Sequence, residues 1–222
     1  MMMKLTTRFA IAAAACAVPA APAFAQSNCE LHVWPAERLQ SSTSGLLGGM
    51  GVIGAVVDSA AHANRDATNR SQMASALDSP SQLDALQSLN LVQELGLPAG
   101  TTVIRHETPL ERHTMNSIKT RRAESNAQCY YELITADVMF MRRAIYGRSL
   151  RTLFMVRDFG NDQRIDFEYK AWGGNGISHF PPREGEDVQV AMNELVDVFK
   201  RNFQEYANNQ RSRRSAEAGR RH

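Results

Sequence analysis

Histidines, turn aspartates and two distant cysteines are the residues of this chain best suited to chemistry, and most fail the spacing that chemistry demands. His106-Glu107 opens as a zinc-protease helix does, but Leu110 stands where the second histidine must be, and Pro109 would break that helix. His106 and His113 are separated by the same proline and read as solvated loop histidines. Asp158-Phe159-Gly160 copies a kinase tripeptide without the Gly-rich nucleotide loop or the catalytic loop, so it reads as a strand end entering a turn. Asp158 and Asp162 flank Gly160, yet a calcium loop needs more oxygen donors at regular spacing. There is no G-x-S-x-G elbow to seat a hydrolase serine. Asp137 lies in an apolar run. Its alternation partners Thr135 and Met139 belong to the less apolar face, which predicts partial exposure. No catalytic residue, metal ligand or cofactor is assigned.

The cysteines take their meaning from the first 25 residues. Lys4 and Arg8 give a positive start, Phe9 to Val18 a short apolar run, and Ala23-Phe24-Ala25 a small-x-small cleavage pattern. Residues 1–25 therefore read as a signal peptide too short to span a membrane, and the expected address is the periplasm. Cys16 falls in this leader, leaving Cys29 and Cys129 in an oxidising compartment. Pairing is the expectation, with free buried thiols as the alternative. A bond between them closes a loop of about 100 residues, worth roughly 4–5 kcal/mol in the chain-entropy model. Ala13-Ala14-Ala15-Cys16 also faintly resembles a lipobox, and lipidation there would tether the protein to a membrane surface.

Cleavage also changes the charge. The 25 basic side chains less Lys4 and Arg8 balance the 23 acidic ones, so the high pI does not argue for nucleic acid as a partner. Residues 208–222 hold Arg211, Arg213, Arg214, Arg220 and Arg221 with almost no large apolar residue, which predicts a disordered basic tail.

Residues 26–207 are long enough for one domain. Cys29 to Trp34 alternates and stops at Pro35, a strand, and Ser41-Ser42-Thr43-Ser44 reads as a polar break. Ser79, Pro80 and Gln82 form a helix start with a capping box, and that helix runs towards Leu95 before Gly96-Leu97-Pro98. Thr101 to His106 is a short strand. Cys129 to Met141 carries the strongest strand signal, with Ile134, Ala136, Val138 and Phe140 assigned to one face. Strands at Leu150 to Asp158 and Ile165 to Ala171 complete a meander, and Glu186 to Ala207 is the best helix. This order predicts an α+β fold: a largely antiparallel sheet of four to five strands, helices on one face, and a long C-terminal helix.

Two surface features suggest interaction. Gly45, Gly49, Gly51, Ala55 and Ser59 form a small-residue stripe at helical spacing, which would let another backbone approach closely. The bland alternative is a helix packed tightly on its own sheet. Arg142, Arg143 and Arg148, with Arg151, cluster around the Tyr146-Gly147 turn as a cationic hairpin tip, or as a solvated edge that discourages aggregation.

The segment Gly51 to Ala60, after a strand ending in Trp34-Pro35, resembles Gly-rich segments of small bacterial envelope proteins, among them lipoproteins distantly related to the curli-secretion channel family. That resemblance implies a structural or assembly role at the outer membrane. The expectation is an exported envelope protein without enzymatic activity, periplasmic or attached to the outer membrane. Its partner would be an envelope protein, a membrane surface or a second copy of itself. The rival is a periplasmic hydrolase or small-ligand binder, which a deep pocket lined by His32, His106 or Asp137 would favour. A flat apolar or cationic patch would favour interaction.

Overall fold

A computed structural model describes residues 28–37, 39–44, 71, 75, 77–143, 147–183 and 185–220. Residues 1–25, the Gly-rich segment from Gly45 to Ser59, and Tyr146 lie outside the described residues. Strands β1 (Cys29–Trp34), β2 (Leu39–Ser44), β3 (Thr102–Arg105), β4 (Cys129–Arg143), β5 (Gly147–Asp158) and β6 (Phe167–Gly176) form one sheet in the order β3-β1-β4-β5-β6. β1 pairs with the first half of β4 and β2 with the second, so the two share one position in a sheet five strands wide. The pairings of β1, β2 and β3 are parallel. The two longest ladders, β4–β5 and β5–β6, are antiparallel, so the mixed sheet is mostly antiparallel by paired length.

Ser41 to Ser44 is therefore strand and not a break. Serine and threonine supply the backbone donors and acceptors a ladder needs, and β4 is long enough to template them.

One face of the sheet carries the main apolar core, built with α1 (Ser79–Gln87), α2 (Leu91–Glu94) and α4 (Val188–Arg220). The expected single helix after Ser79 is two, because Asn90 caps a new start by accepting from the Gln93 N–H. Asp78, not Ser79, caps α1. Gln82 forgoes the capping box. Its buried amide pairs with both backbone groups of Ala36 and with the Leu77 carbonyl, fixing α1 to the break between β1 and β2.

One stripe of α4 buries Ala191, Leu195, Val198, Phe199 and Phe203, whereas Val188 is exposed. The stripe then continues through Tyr206, Ala207 and Gln210, and the helix runs to Arg220 instead of fraying after Ala207. Two arginines of the supposed tail find partners. Arg211 donates to the carbonyls ending α2, and Arg214 pairs with Asp158 at 2.8 Å beside the Phe167 ring.

α4 also sits unusually close to β6. A Cβ at Gly173 would lie 2.5 Å from the Asn202 carbonyl oxygen, so only glycine allows this approach. Asn202 in turn donates to the Leu150 carbonyl at 3.0 Å, tying the helix to β5.

A register shift between Thr135 and Asp137 corrects the alternation read for β4. Ile134 and Ala136 point to the second face, while Val138 and Phe140 enter the helix-side core. One extra residue reverses which face each later side chain takes.

Candidate functional site

Among the described residues the second face is covered by the connection from His106 to Gln128, which contains α3 (Arg112–Ser117). Met115 of α3 packs with Trp34, Ile134, Ala136 and Met155. Ionic contacts hold the rest down. Arg157 and Glu132 are both 0% exposed. Arg157 donates to Glu168 at 2.7 Å and to the carbonyls of Met115 and Ile118. Arg122 donates its backbone N–H to Glu132 and its guanidinium to the carbonyls of Thr114 and Met115. The end of α3 is thus capped by two arginines anchored in the sheet. Burial pushes the Glu132 carboxyl up, and the N–H and charge of Arg122 oppose that push. Tyr130, whose hydroxyl lies 3.3 Å from Glu132, is raised chiefly by burial and then by that carboxylate.

At the β1–β3 edge the structure brings together side chains that sequence spacing keeps apart. Parallel pairing sets His32 opposite Ile104, two residues before His106. His32 Nδ1 lies 2.8 Å from His106 Nε2, and His32 Nε2 lies 3.2 Å from Glu30 Oε2. Glu30 also accepts from the Ser125 hydroxyl. Trp34 stacks on His106 with centroids 4.1 Å apart, and Tyr130 stacks on His32 at 4.5 Å. His32 is only 3% exposed. Burial holds both imidazoles below their usual value, His106 additionally because of His32. Glu30 is lowered first by the Ser125 hydroxyl.

This chain can pass a proton along Glu30, His32 and His106, but it is not a nucleophile–base pair. Ser125 donates to the Glu30 carboxylate, a base weakened by that same bond, and not to an imidazole. His106 is thus a stacked, hydrogen-bonded residue and not a solvated one, whereas His113 is exposed and meets Glu111. Alternation in β1 places His32 beside Trp34 on one face, but only the fold supplies His106.

Asp137 is buried rather than partly exposed, and Arg112 of α3 meets it at 2.8 Å. Among the described residues no three metal-ligating side chains converge, and no helix is long and apolar enough to cross a membrane. A cleft of about 290 Å³ lies elsewhere, between Ser75 and Gln189, Met192, Asn193 and Val196 of α4. It contains none of the singled-out residues.

Cys29 and Cys129 are register partners on β1 and β4 and form a disulfide, with Cα atoms 4.6 Å apart. Arg142 and Arg143 end β4, exposed. Arg148 is different: its guanidinium donates to the carbonyls of Ser178 and Pro181, so it anchors that loop and is not offered to a partner. Gly45, Gly49, Gly51, Ala55 and Ser59 fall outside the described residues.

Sequence reasoning missed Trp172. It projects from β6 at 41% exposure, with the Arg151 guanidinium carbon 5.1 Å from its ring centre. Its alternation with Lys170 and Glu168 was the available signal.

No protein-family profile and no curated protein matches the chain. Among solved structures it is similar to a Xanthomonas campestris protein of the family DUF330, at 10% identity and a TM-score of 0.40, over 84% of this chain and 86% of that one. It is also similar to a hypothetical protein of Chlamydia trachomatis, at 10% identity and a TM-score of 0.34, over 82% and 95%. Neither likeness assigns a role to a residue of this chain.

Proposed function

We propose that this is an exported envelope protein whose role is interaction or assembly, in the periplasm or held at the outer membrane. The observation that carries the reading is the Cys29–Cys129 disulfide. The two cysteines outside the leader-like segment meet in register on adjacent strands and are bonded, as suits a chain that matures in an oxidising compartment. The leader-like first 25 residues and the likeness of Gly51 to Ala60 to envelope lipoproteins point the same way. The interaction role draws support from how the polar groups are used. His32 and Asp137 are buried and engaged with neighbouring side chains, while among the described residues a basic, aromatic area of the sheet around Arg151 and Trp172 is exposed.

A second reading, a hydrolase or small-ligand binder, draws on the His106–His32–Glu30–Ser125 chain. It lacks a serine–imidazole contact, and the cleft lies elsewhere.

Intact mass with and without reductant, on protein recovered from separated cell compartments, tests the proposal. The expected product lacks residues 1–25, or begins at a lipidated Cys16, and gains two hydrogens on reduction. A full-length cytosolic product with both thiols free overturns it.

A further inference from the structure

The second face of the sheet has two halves. Near β3 it is sealed by the His106–Gln128 connection. Towards the β4–β5 hairpin Arg143, Trp172 and Gly174 are exposed among the described residues, and there register places Met139, Met141 and Arg143 of β4 beside Ser149 and Arg151 of β5 and Trp172 and Gly174 of β6. Arg151 lies across Gly174, where a Cβ would meet its Cγ at 3.4 Å, and so reaches the Trp172 ring. No carboxylate meets the guanidinium of Arg142, Arg143 or Arg151 among the described residues. The acids nearest this half are committed: Asp137 to Arg112, and Glu168 to Arg157 and Lys119. Lys170, at the border, donates to Asn116. β2, which flanks β4 here, has no ionisable residue.

The surface is therefore cationic and aromatic, with two thioethers and no counter-charge among the described residues. We infer that it docks on an anionic membrane surface, with Arg143 and Arg151 on lipid phosphates and Trp172 at the headgroup boundary. Two features favour a bilayer over a polymer. An indole is amphipathic and settles at the membrane–water boundary. Arg143 and Arg151 also sit on adjacent strands of one sheet face, so both can meet a charged surface at once, and each adds to the attraction. The inference deepens the envelope reading above and rests on it for access to such a membrane.

The test uses the oxidised mature chain with vesicles of phosphatidylglycerol and phosphatidylethanolamine, against phosphatidylcholine alone. Trp34 is buried on the sealed half, so a change in tryptophan emission reports Trp172. The expected result is co-sedimentation with the anionic vesicles, a shift of emission to shorter wavelength, and weakening by added salt. Arg143→Glu/Arg151→Glu should weaken binding about tenfold or more. Arg164→Glu/Arg183→Glu, an equal change of charge at exposed sites elsewhere, should leave it near the parent value. Circular dichroism establishes that each variant is folded.

Equal binding to phosphatidylcholine, or a double variant at Arg143 and Arg151 that binds like the parent, overturns the inference. So does an emission shift given by a soluble anionic polysaccharide such as polygalacturonate and not by vesicles, which would assign the face to glycans. An exported, disulfide-bonded protein that ignores anionic vesicles removes this inference alone. A cytosolic protein with free thiols removes the envelope reading whatever the vesicles show.

Discussion

The two faces of the sheet solve the same problem by opposite means. On one, Phe154 packs among Phe199, Phe203 and Tyr206 of α4, with ring centres 5.3–5.6 Å from its own, and burial of apolar area does the work. On the other, a connection with few apolar residues is held by Arg157, Arg122 and Glu132, three charged groups taken out of water. The first arrangement tolerates small changes of shape. The second tolerates no missing partner, because a lone buried charge is far costlier than an absent pair. A face assembled from ions is also specific, since Arg157 and Arg122 reach named carbonyls of α3 rather than any apolar surface.

The largest effects should come from cutting each face once. Phe154→Ala removes a fully buried ring and is expected to cost about 3–5 kcal/mol in urea unfolding. Arg157→Ala leaves Glu132 with Arg122 as its one remaining cation, takes the close partner from Glu168, and unpairs the carbonyls of Met115 and Ile118, also at about 3–5 kcal/mol. Hydrogen exchange should separate the two. Arg157→Ala should speed exchange most in residues 112–122, while Phe154→Ala should loosen β4, β5 and α4 together. Similar exchange maps for both would mean the faces do not act independently.

The same division explains what could be read from sequence. The helix side is legible because its buried residues are apolar and recur at the period of their element: Leu150, Thr152, Phe154 and Val156 along β5, and Leu195, Val198, Phe199 and Phe203 along α4. The ionic side is not. Glu132, Arg157 and Arg122 are types expected in water, and only their mutual satisfaction lets them be buried. The single extra residue near Ala136 leaves no mark in composition, so alternation carried past it puts Ile134 and Val138 on one face. The helical tail was missed for a related reason. Arg211 and Arg214 look like solvated charge until α2 and Asp158 supply their partners. His32 and His106 are 74 positions apart, and no local pattern joins them.

A smaller effect sharpens the view of the helix side. Gly173→Ala sets a methyl against the Asn202 carbonyl, which is backbone and cannot swing away. The helix must move off β6, stretching the bond from Asn202 to the Leu150 carbonyl, at about 1–3 kcal/mol. Gly174→Ala is the control on the opposite face: its new methyl meets only the flexible Arg151 stem, and stability should change little. Equal losses at the two glycines would remove the close approach of α4 as the reason for Gly173.

The smallest expected effect lies where the second face meets the β3 edge. With Glu30 ionised, a neutral His32 donates from Nε2 and accepts at Nδ1 from His106, so two neutral rings satisfy the chain. Burial disfavours a further proton on either ring; the neighbouring His32 adds to this at His106, and the charge of Arg121 adds to it at His32. Both rings therefore titrate lower in the folded protein than in the unfolded chain, where the usual value is 6.5. The stabilisation is fully present above that value. It is lost as pH falls through the lowered folded values, because the unfolded chain takes up protons first. Glu30, also lowered, adds a loss of the same sign below its usual 4.5, while Glu132, raised by burial, acts in the opposite direction. His106→Gln isolates the contribution of His106, since an amide can still donate to His32 but cannot gain a proton. Urea midpoints between pH 7 and pH 5 should fall more steeply in the parent than in the variant. Parallel profiles would mean that His106 is not the titrating group, leaving this edge held by stacking on Trp34 and by the β1–β3 ladder.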